Sequence, residues 1–375
     1  MRRIFNVLGL LIVAVLFLSS CSSSDKLVLK VEEHKVFSQN LTPPVDYSSV
    51  ADVGDVGYKA KLVEYNGYLY IGNLDGEVYR IDPKNEESDF IVEFDDQPIE
   101  ANVAVDGNYL FVGTVKGWLY KVDLKSNKPV AKRRFDFPIV GNLYAKDGNL
   151  YLIKENDVVY CLNEDNLETI WKYAHGEPNM FDIRGFSGIY FADDGLYIGF
   201  DDGSVDKVSY KGDQIWEAEV GEGNMFVDAD TTPLVEGDIV YVSSAKGYTE
   251  AVQADDGSLV WKRKISSYSN MQANIFGLFL ADENGNLYCL DLSGGETIWK
   301  RKFSKEGNIY SIKLVGDVLF ALTSEGKFIA IDPLTGKILD IKDIGDEFSS
   351  YMTLCCDKLF FVSRDGDVYS VFSER

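Results

Sequence analysis

A tight turn followed by a short apolar strand recurs eight times along this chain, at intervals that barely change. The series runs Gly76-Glu-Val-Tyr-Arg-Ile-Asp, Gly117-Trp-Leu-Tyr-Lys-Val-Asp, Asp157-Val-Val-Tyr-Cys-Leu-Asn, Gly203-Ser-Val-Asp-Lys-Val-Ser, Gly247-Tyr-Thr-Glu-Ala-Val-Gln, Gly285-Asn-Leu-Tyr-Cys-Leu-Asp, Gly326-Lys-Phe-Ile-Ala-Ile-Asp and Gly366-Asp-Val-Tyr-Ser-Val-Phe. The spacings are 41, 40, 46, 44, 38, 41 and 40 residues. Four segments of strand character fill a unit, as in Ile99–Val105, Tyr109–Thr114, Trp118–Asp123 and Pro129–Phe135. Such a unit hides its apolar faces only against its neighbours, and four-stranded units repeating every ~40–45 residues mark a β-propeller. No segment carries a sustained helical period. The expected fold is all-β: one eight-bladed propeller of four-stranded antiparallel blades.

Asx-Gly pairs at Asp75-Gly76, Asp202-Gly203, Asn284-Gly285 and Asp365-Gly366 suit two-residue hairpins that need positive φ. Tryptophan returns 13 or 14 residues after the aligned turn, at Trp171, Trp216, Trp261 and Trp299, with Phe90 in that place in the first unit. One register for four of five tryptophans reads as packing between blades rather than a substrate platform. The last unit ends at Arg375 after three strands, which would leave an open edge. The segment Lys26–Phe37 has strand character, so part of Lys26–Asp46 is expected to complete the last blade.

The first twenty residues read as an address. Arg2 and Arg3 precede twelve residues without charge or polar side chain, Val7–Leu18, and then Leu18-Ser19-Ser20-Cys21. Twelve apolar residues are too few to span a bilayer, which takes about 20 in a helix, but they suit a secretory signal. Leu-Ser-Ser-Cys resembles the lipobox of bacterial lipoproteins, which implies acylation at Cys21. Ser22 in place of aspartate then favours the outer membrane. The expected organisation is a signal peptide over 1–20, a lipidated tether with the closing strand over 21–54, and the propeller over 55–375.

Composition removes several function classes. With 37 basic against 60 acidic residues the net charge is −23, and a phosphate backbone needs a basic face, so nucleic acid is excluded as a partner. Two histidines, His34 and His175, cannot build a histidine-rich metal centre. The acidic pairs Asp193-Asp194, Asp201-Asp202 and Asp255-Asp256 sit in isolated turns, not in a calcium loop whose ligands converge at fixed offsets. Cys161 and Cys289 fall at equivalent places three blades apart and cannot pair. Cys355-Cys356 reads as two small residues of an inner strand.

Units such as Cys289-Leu-Asp-Leu-Ser-Gly-Gly-Glu-Thr-Ile-Trp299 resemble the repeat of quinoprotein dehydrogenases that bind pyrroloquinoline quinone. Such an enzyme needs a calcium site, a catalytic aspartate and basic residues around the quinone, and no such set assembles from this sequence. Neither a cofactor nor a metal is expected.

Two stretches depart from the repeat: Phe181-Asp182-Ile183-Arg184-Gly185-Phe186-Ser187 and Val227-Asp228-Ala229-Asp230-Thr231-Thr232-Pro233. Both join the outer strand of one blade to the first strand of the next, in consecutive blades. They resemble the two signature segments of the BamB family of outer-membrane assembly lipoproteins, Leu-x-Leu-Arg-Gly and Asp-x-Asp-Thr-Thr-Pro. Phe181 and Ile183 stand where the family has leucines. The lipobox, the eight repeats and the final Asp365–Ser370 resemble that family too. The resemblance implies a non-catalytic scaffold of the outer-membrane β-barrel assembly (BAM) complex, lipid-anchored on the periplasmic face of the outer membrane. Its implied partners are the periplasmic POTRA domains of the barrel-forming subunit BamA, other BAM components and unfolded outer-membrane proteins. Phe181, Ile183, Arg184, Asp228 and Asp230 are the implied contact, although the same set would also brace adjacent blades. The alternatives are a quinone-dependent dehydrogenase and a propeller serving another cell-envelope partner.

Overall fold

The computed structural model describes residues 41–375 except 58–59, 155–157, 176–187, 201–202, 221–231, 245–246, 268, 304, 306, 349 and 375. Among the described residues there is no helix, and the strands form eight four-stranded antiparallel sheets. Seven sheets are continuous in sequence. Blade 1 is typical, with an inner strand Val63–Tyr65, a second Tyr68–Gly72, a third Glu77–Asp82 and an outer strand Glu87–Glu93.

Blade 8 is made from both ends of the chain. Its strands Thr353–Cys355, Lys358–Val362 and Asp367–Ser373 receive Val45–Asp52 as the outer strand, in register from Val45 opposite Ser373 to Asp52 opposite Asp367. The ring is therefore closed by an N-terminal strand, as expected, but that strand lies farther along the chain. Only Val45 and Asp46 belong to the expected span, and the segment Lys26–Phe37 lies outside the described residues. An outer strand is half exposed, so Val-Asp-Tyr-Ser-Ser-Val-Ala-Asp carries a weaker apolar signal than Lys26–Phe37 does. Leu41 and Val45 sink into a core with Phe320, Phe328 and Phe361, while Val53 and Val56 pack on Phe360 and Val368. Apolar side chains from adjacent blades share these clusters, so each blade relies on its neighbours for burial.

The Asx-Gly turns differ from the two-residue form. Asn73 N–H donates to Glu77 O, and Gly76 N–H donates to Asn73 O with Gly76 at φ 87°. This is a three-residue loop, a type I turn followed by a left-handed glycine. The third strand thereby gains a position at which a glycine carbonyl accepts the amide that ends the outer strand. Phe94 to Gly76, Phe135 to Gly117, Val220 to Gly203, Phe303 to Gly285 and Ile344 to Gly326 all follow this pattern.

The tryptophans are inter-blade packing, as expected. Trp171, Trp216, Trp261 and Trp299 each donate their indole N–H to a carbonyl of the next blade, at Tyr210, Ala254, Leu292 and Pro333, over 2.8–3.0 Å. Each ring covers a left-handed glycine in that blade, Gly212, Gly257, Gly295 or Gly336, where an added Cβ would stand 2.7–2.8 Å from the indole. Phe90 does not take that place: it faces Tyr79, one residue short of the position that faces each tryptophan, because the bulge in this outer strand follows Phe90 rather than preceding it, and it is half exposed.

Candidate functional site

The inner strands are short, three residues in blades 1, 2, 5, 6 and 8, and line a central channel of about 860 Å³. Counting back four residues from the last inner-strand pair gives a ring of equivalent positions: Lys61, Asn102, Asn142, Gly188, Thr232, Asn270, Ser311 and Tyr351. Seven of the eight carry polar side chains, and they stitch blade to blade. Lys61 N–H donates to Asn102 Oδ1 at 2.9 Å, and Asn102 Nδ2 donates to Asn142 Oδ1. Asn270 Nδ2 donates to Ile312 O at 2.7 Å while its Oδ1 accepts Ile312 N–H at 3.1 Å, and Met352 N–H donates to Ser311 Oγ at 3.1 Å. Gly188 is required where it stands, because Thr232 Oγ1 and the Tyr144 hydroxyl occupy the space of its missing side chain. Burial pushes the Tyr144 phenol up to about 12, so it stays protonated.

Two lysines enter this channel. Lys61 belongs to the ring, and Lys313 stands two residues farther along its own strand, beside the cavity. Lys61 is open to channel water yet walled by protein. Burial, then the charge of Lys313, holds its ammonium below the usual lysine range, and burial does the same to Lys313. The hairpin end is acidic, with Glu64, Asp106 and Asp147 from three blades. These carboxylates do not converge. Glu64 accepts Gly67 N–H at 2.9 Å, Asp106 accepts the Tyr65 hydroxyl at 3.4 Å and Asp147 lies 3.9 Å from Lys146.

The five residues expected to contact a partner, Phe181, Ile183, Arg184, Asp228 and Asp230, lie outside the described residues, as does Cys21. Their connections leave the outer strands Thr169–Ala174 and Gln214–Glu219 and enter the inner strands Ile189–Ala192 and Leu234–Glu236. Thr232 and Pro233, which end the second stretch, line the channel together with Tyr144 and Tyr190.

Just after the outer strand Thr169–Ala174 lies a group that sequence reasoning missed. His175 Nδ1 lies 2.7 Å from Asp206 Oδ2, its Nε2 lies 2.8 Å from Ser204 Oγ, and the Tyr173 hydroxyl donates to the same Asp206 oxygen. The ring stacks on Phe200 at 4.5 Å. The connectivity is that of a serine nucleophile, a base and a carboxylate. However, Ser204 is 3% exposed, Asp206 0%, and none of the three lines the channel, so no substrate reaches the hydroxyl. His175, Asp206 and Glu217 are also the one described set of potential metal ligands that converges. Both imidazole nitrogens are already engaged, which leaves no lone pair for an ion. The group is a polar brace between blades 3 and 4. The signal in the sequence was a single histidine at the end of an outer strand.

Two turn residues also depart from expectation. Asp194 is not merely solvated, since it accepts Lys207 Nζ at 2.5 Å. Cys355 ends the inner strand and is buried, whereas Cys356 is the exposed first residue of the turn, with the sulfurs 3.2 Å apart as free thiols.

Comparison with known proteins places this geometry in context. A family model described as outer membrane protein assembly factor BamB matches residues 74–301. The BamB of Vibrio cholerae is 27% identical with 98% of both chains covered. Those of Legionella pneumophila and Shewanella oneidensis are 23% and 28% identical over 51% and 54% of this chain, and the chain spans about half the length of these two relatives. Among solved structures, BamB from Moraxella catarrhalis superposes with a TM-score of 0.77 at 17% identity, covering 87% of this chain and 100% of the other. Quinohemoprotein alcohol dehydrogenase from Comamonas testosteroni gives 0.68 at 11% identity, covering 90% and 77%, which is a likeness of fold alone.

Proposed function

The chain belongs to the family of the outer membrane protein assembly factor BamB, and on that premise we propose that it is a non-catalytic lipoprotein scaffold for assembling β-barrel proteins into the outer membrane. In this reading residues 1–20 are removed, Cys21 is acylated, and residues 21–54 tether and close a propeller on the periplasmic face. The contact to the barrel-forming subunit is made by Phe181, Ile183, Arg184, Asp228 and Asp230. The observation that carries the reading is the family match across the blades that hold both signature stretches. Apolar side chains around a guanidinium and carboxylates suit an interface with a central arginine.

A quinone dehydrogenase fits the residues poorly. Calcium takes six to eight oxygens at about 2.4 Å, whereas the described channel carboxylates stand on three separate blades and are engaged locally.

The test is co-purification of Arg184→Ala and of Asp228→Ala/Asp230→Ala proteins with the barrel-forming subunit, with melting temperatures measured alongside. A loss of roughly 2 kcal/mol or more of binding at unchanged stability is expected of a hot-spot arginine. Full binding by stably folded variants rejects the contact, and lost binding with a collapsed melting temperature assigns these residues to bracing the blades. Dye reduction by alcohols after loading with quinone and calcium would reject the non-catalytic reading.

A further inference from the structure

The central channel holds two lysines that no described residue pairs. Neither Lys61 nor Lys313 makes an ion pair or a side-chain hydrogen bond through its ammonium among the described residues. This is unusual in a chain of net charge −23, which has 60 carboxylates to place. Three lysines elsewhere whose side chains are drawn into the protein are paired: Lys121 with Asp165 at 3.2 Å, Lys207 with Asp194, and Lys358 with Glu86 at 2.7 Å. A charge walled by protein is partly desolvated even where channel water reaches it, and full desolvation costs roughly several kcal/mol per ion, so such charges are normally paired. Two like charges in one walled cavity add repulsion to that cost.

We propose that the channel binds a small organic acid carrying two or more carboxylates, held between Lys61 and Lys313. The cavity, about 860 Å³, has the size of a small-ligand site. The rest of its wall at that level supplies amides from Asn102, Asn142 and Asn270 and the side chain of Tyr351, the polar but uncharged surroundings that suit carboxylate oxygens. Lysines offer point charges rather than the bidentate fork of arginine, and no helix N-terminus is present among the described residues to cradle phosphate. Glu64, Asp106 and Asp147 outnumber Lys146 at the hairpin end and make it repulsive to an anion, so the ligand reaches the lysines from the end where the inner strands begin. A chain this acidic repels anions elsewhere, which makes a saturable site easy to distinguish from non-specific binding.

The experiment titrates the purified full-length protein in detergent with citrate, using isothermal calorimetry and thermal melts, with inorganic phosphate and glycerol in parallel. Citrate should bind one-to-one and raise the melting temperature. Affinity should fall at least tenfold in Lys61→Met and again in Lys313→Met, while Lys125→Met, an exposed lysine outside the channel, binds as the parent does. Each variant is compared with its own ligand-free melt, so a change in intrinsic stability does not mask the result. No citrate binding up to ~10 mM, or equal binding by the Lys61→Met/Lys313→Met protein, overturns the site. Phosphate binding as tightly as citrate, with the same loss in the variants, overturns the carboxylate class.

Discussion

At the scale of single residues, blade 3 holds a carboxyl whose protonation is tied to folding. Glu164 is 7% exposed and belongs to the loop after the third strand of blade 3. Burial first, then the charge of Asp106, push its carboxyl up to about 7. An unfolded chain has no such environment, so its glutamate titrates near the ordinary 4.5. Because the folded value is raised, the native state binds the proton more tightly, and stability is lost as pH climbs from about 4.5 through about 7. Glu164→Gln removes the titration while keeping the shape. At pH 4 the variant should match the parent, and at pH 8 it should be more stable by roughly 3 kcal/mol, since one pKa unit is about 1.4 kcal/mol. Urea melts at both pH values measure this directly. A difference that does not change with pH would mean that folding does not raise the Glu164 carboxyl.

At the scale of the strand and its turn, stability follows the docking of tryptophan on glycine. Trp299 is buried and donates to Pro333 O, and its ring covers Gly336 at φ +66°. Trp299→Ala should cost about 3–5 kcal/mol in urea denaturation, the range for deleting a large buried aromatic. The next blade has no aromatic in that register, where Asp340 faces Ala330, and the apolar side chain beside it, Ile341, is 42% exposed. Ile341→Ala should cost no more than about 1 kcal/mol. Equal losses at the two positions would show that the glycine dock contributes no more than an exposed outer-strand side chain does. This contrast marks what the sequence makes legible. Period, blade number and tryptophan register can be read because each repeats, and repetition separates a pattern from local noise. Turn type could not be read, because Asp-Gly serves both a two-residue hairpin and a type I turn with a left-handed glycine. The polar ring of the channel escaped as well. Lys61, Asn102, Gly188 and Tyr351 share no residue type, and only the strand register reveals that they are equivalent. His175 and Asp206 lie 31 residues apart on neighbouring blades, beyond any local motif.

At the scale of the whole ring, closure decides whether eight blades behave as a stack or as one unit. An open array of repeats is held by nearest-neighbour contacts, so its end units fray and unfolding can begin there. Here the ends meet in blade 8, where Val45–Asp52 pairs along its length with Asp367–Ser373. Side chains and termini reinforce the seam. Thr42 N–H donates to Ser373 Oγ at 2.7 Å, Glu374 N–H to Pro44 O at 2.9 Å, and Val45 N–H to Asp340 of blade 7 at 2.9 Å. Val53 N–H continues the seam by donating to Gly366 O, and on the other side Thr353 Oγ1 donates to Leu62 O, so blade 8 is also tied to blade 1. Removing residues 41–52 would expose the edge of Asp367–Ser373 and uncover Phe328 and Phe361, which pack with Leu41 and Val45. The shortened protein should therefore lose the single sharp transition of a closed ring. Its melt should begin at lower temperature and broaden, with hydrogen exchange rising first in blades 8 and 1 and last in blades 4 and 5, opposite the seam. An unchanged melting curve, or exchange that rises evenly around the ring, would mean that the blades are stable without the closing strand.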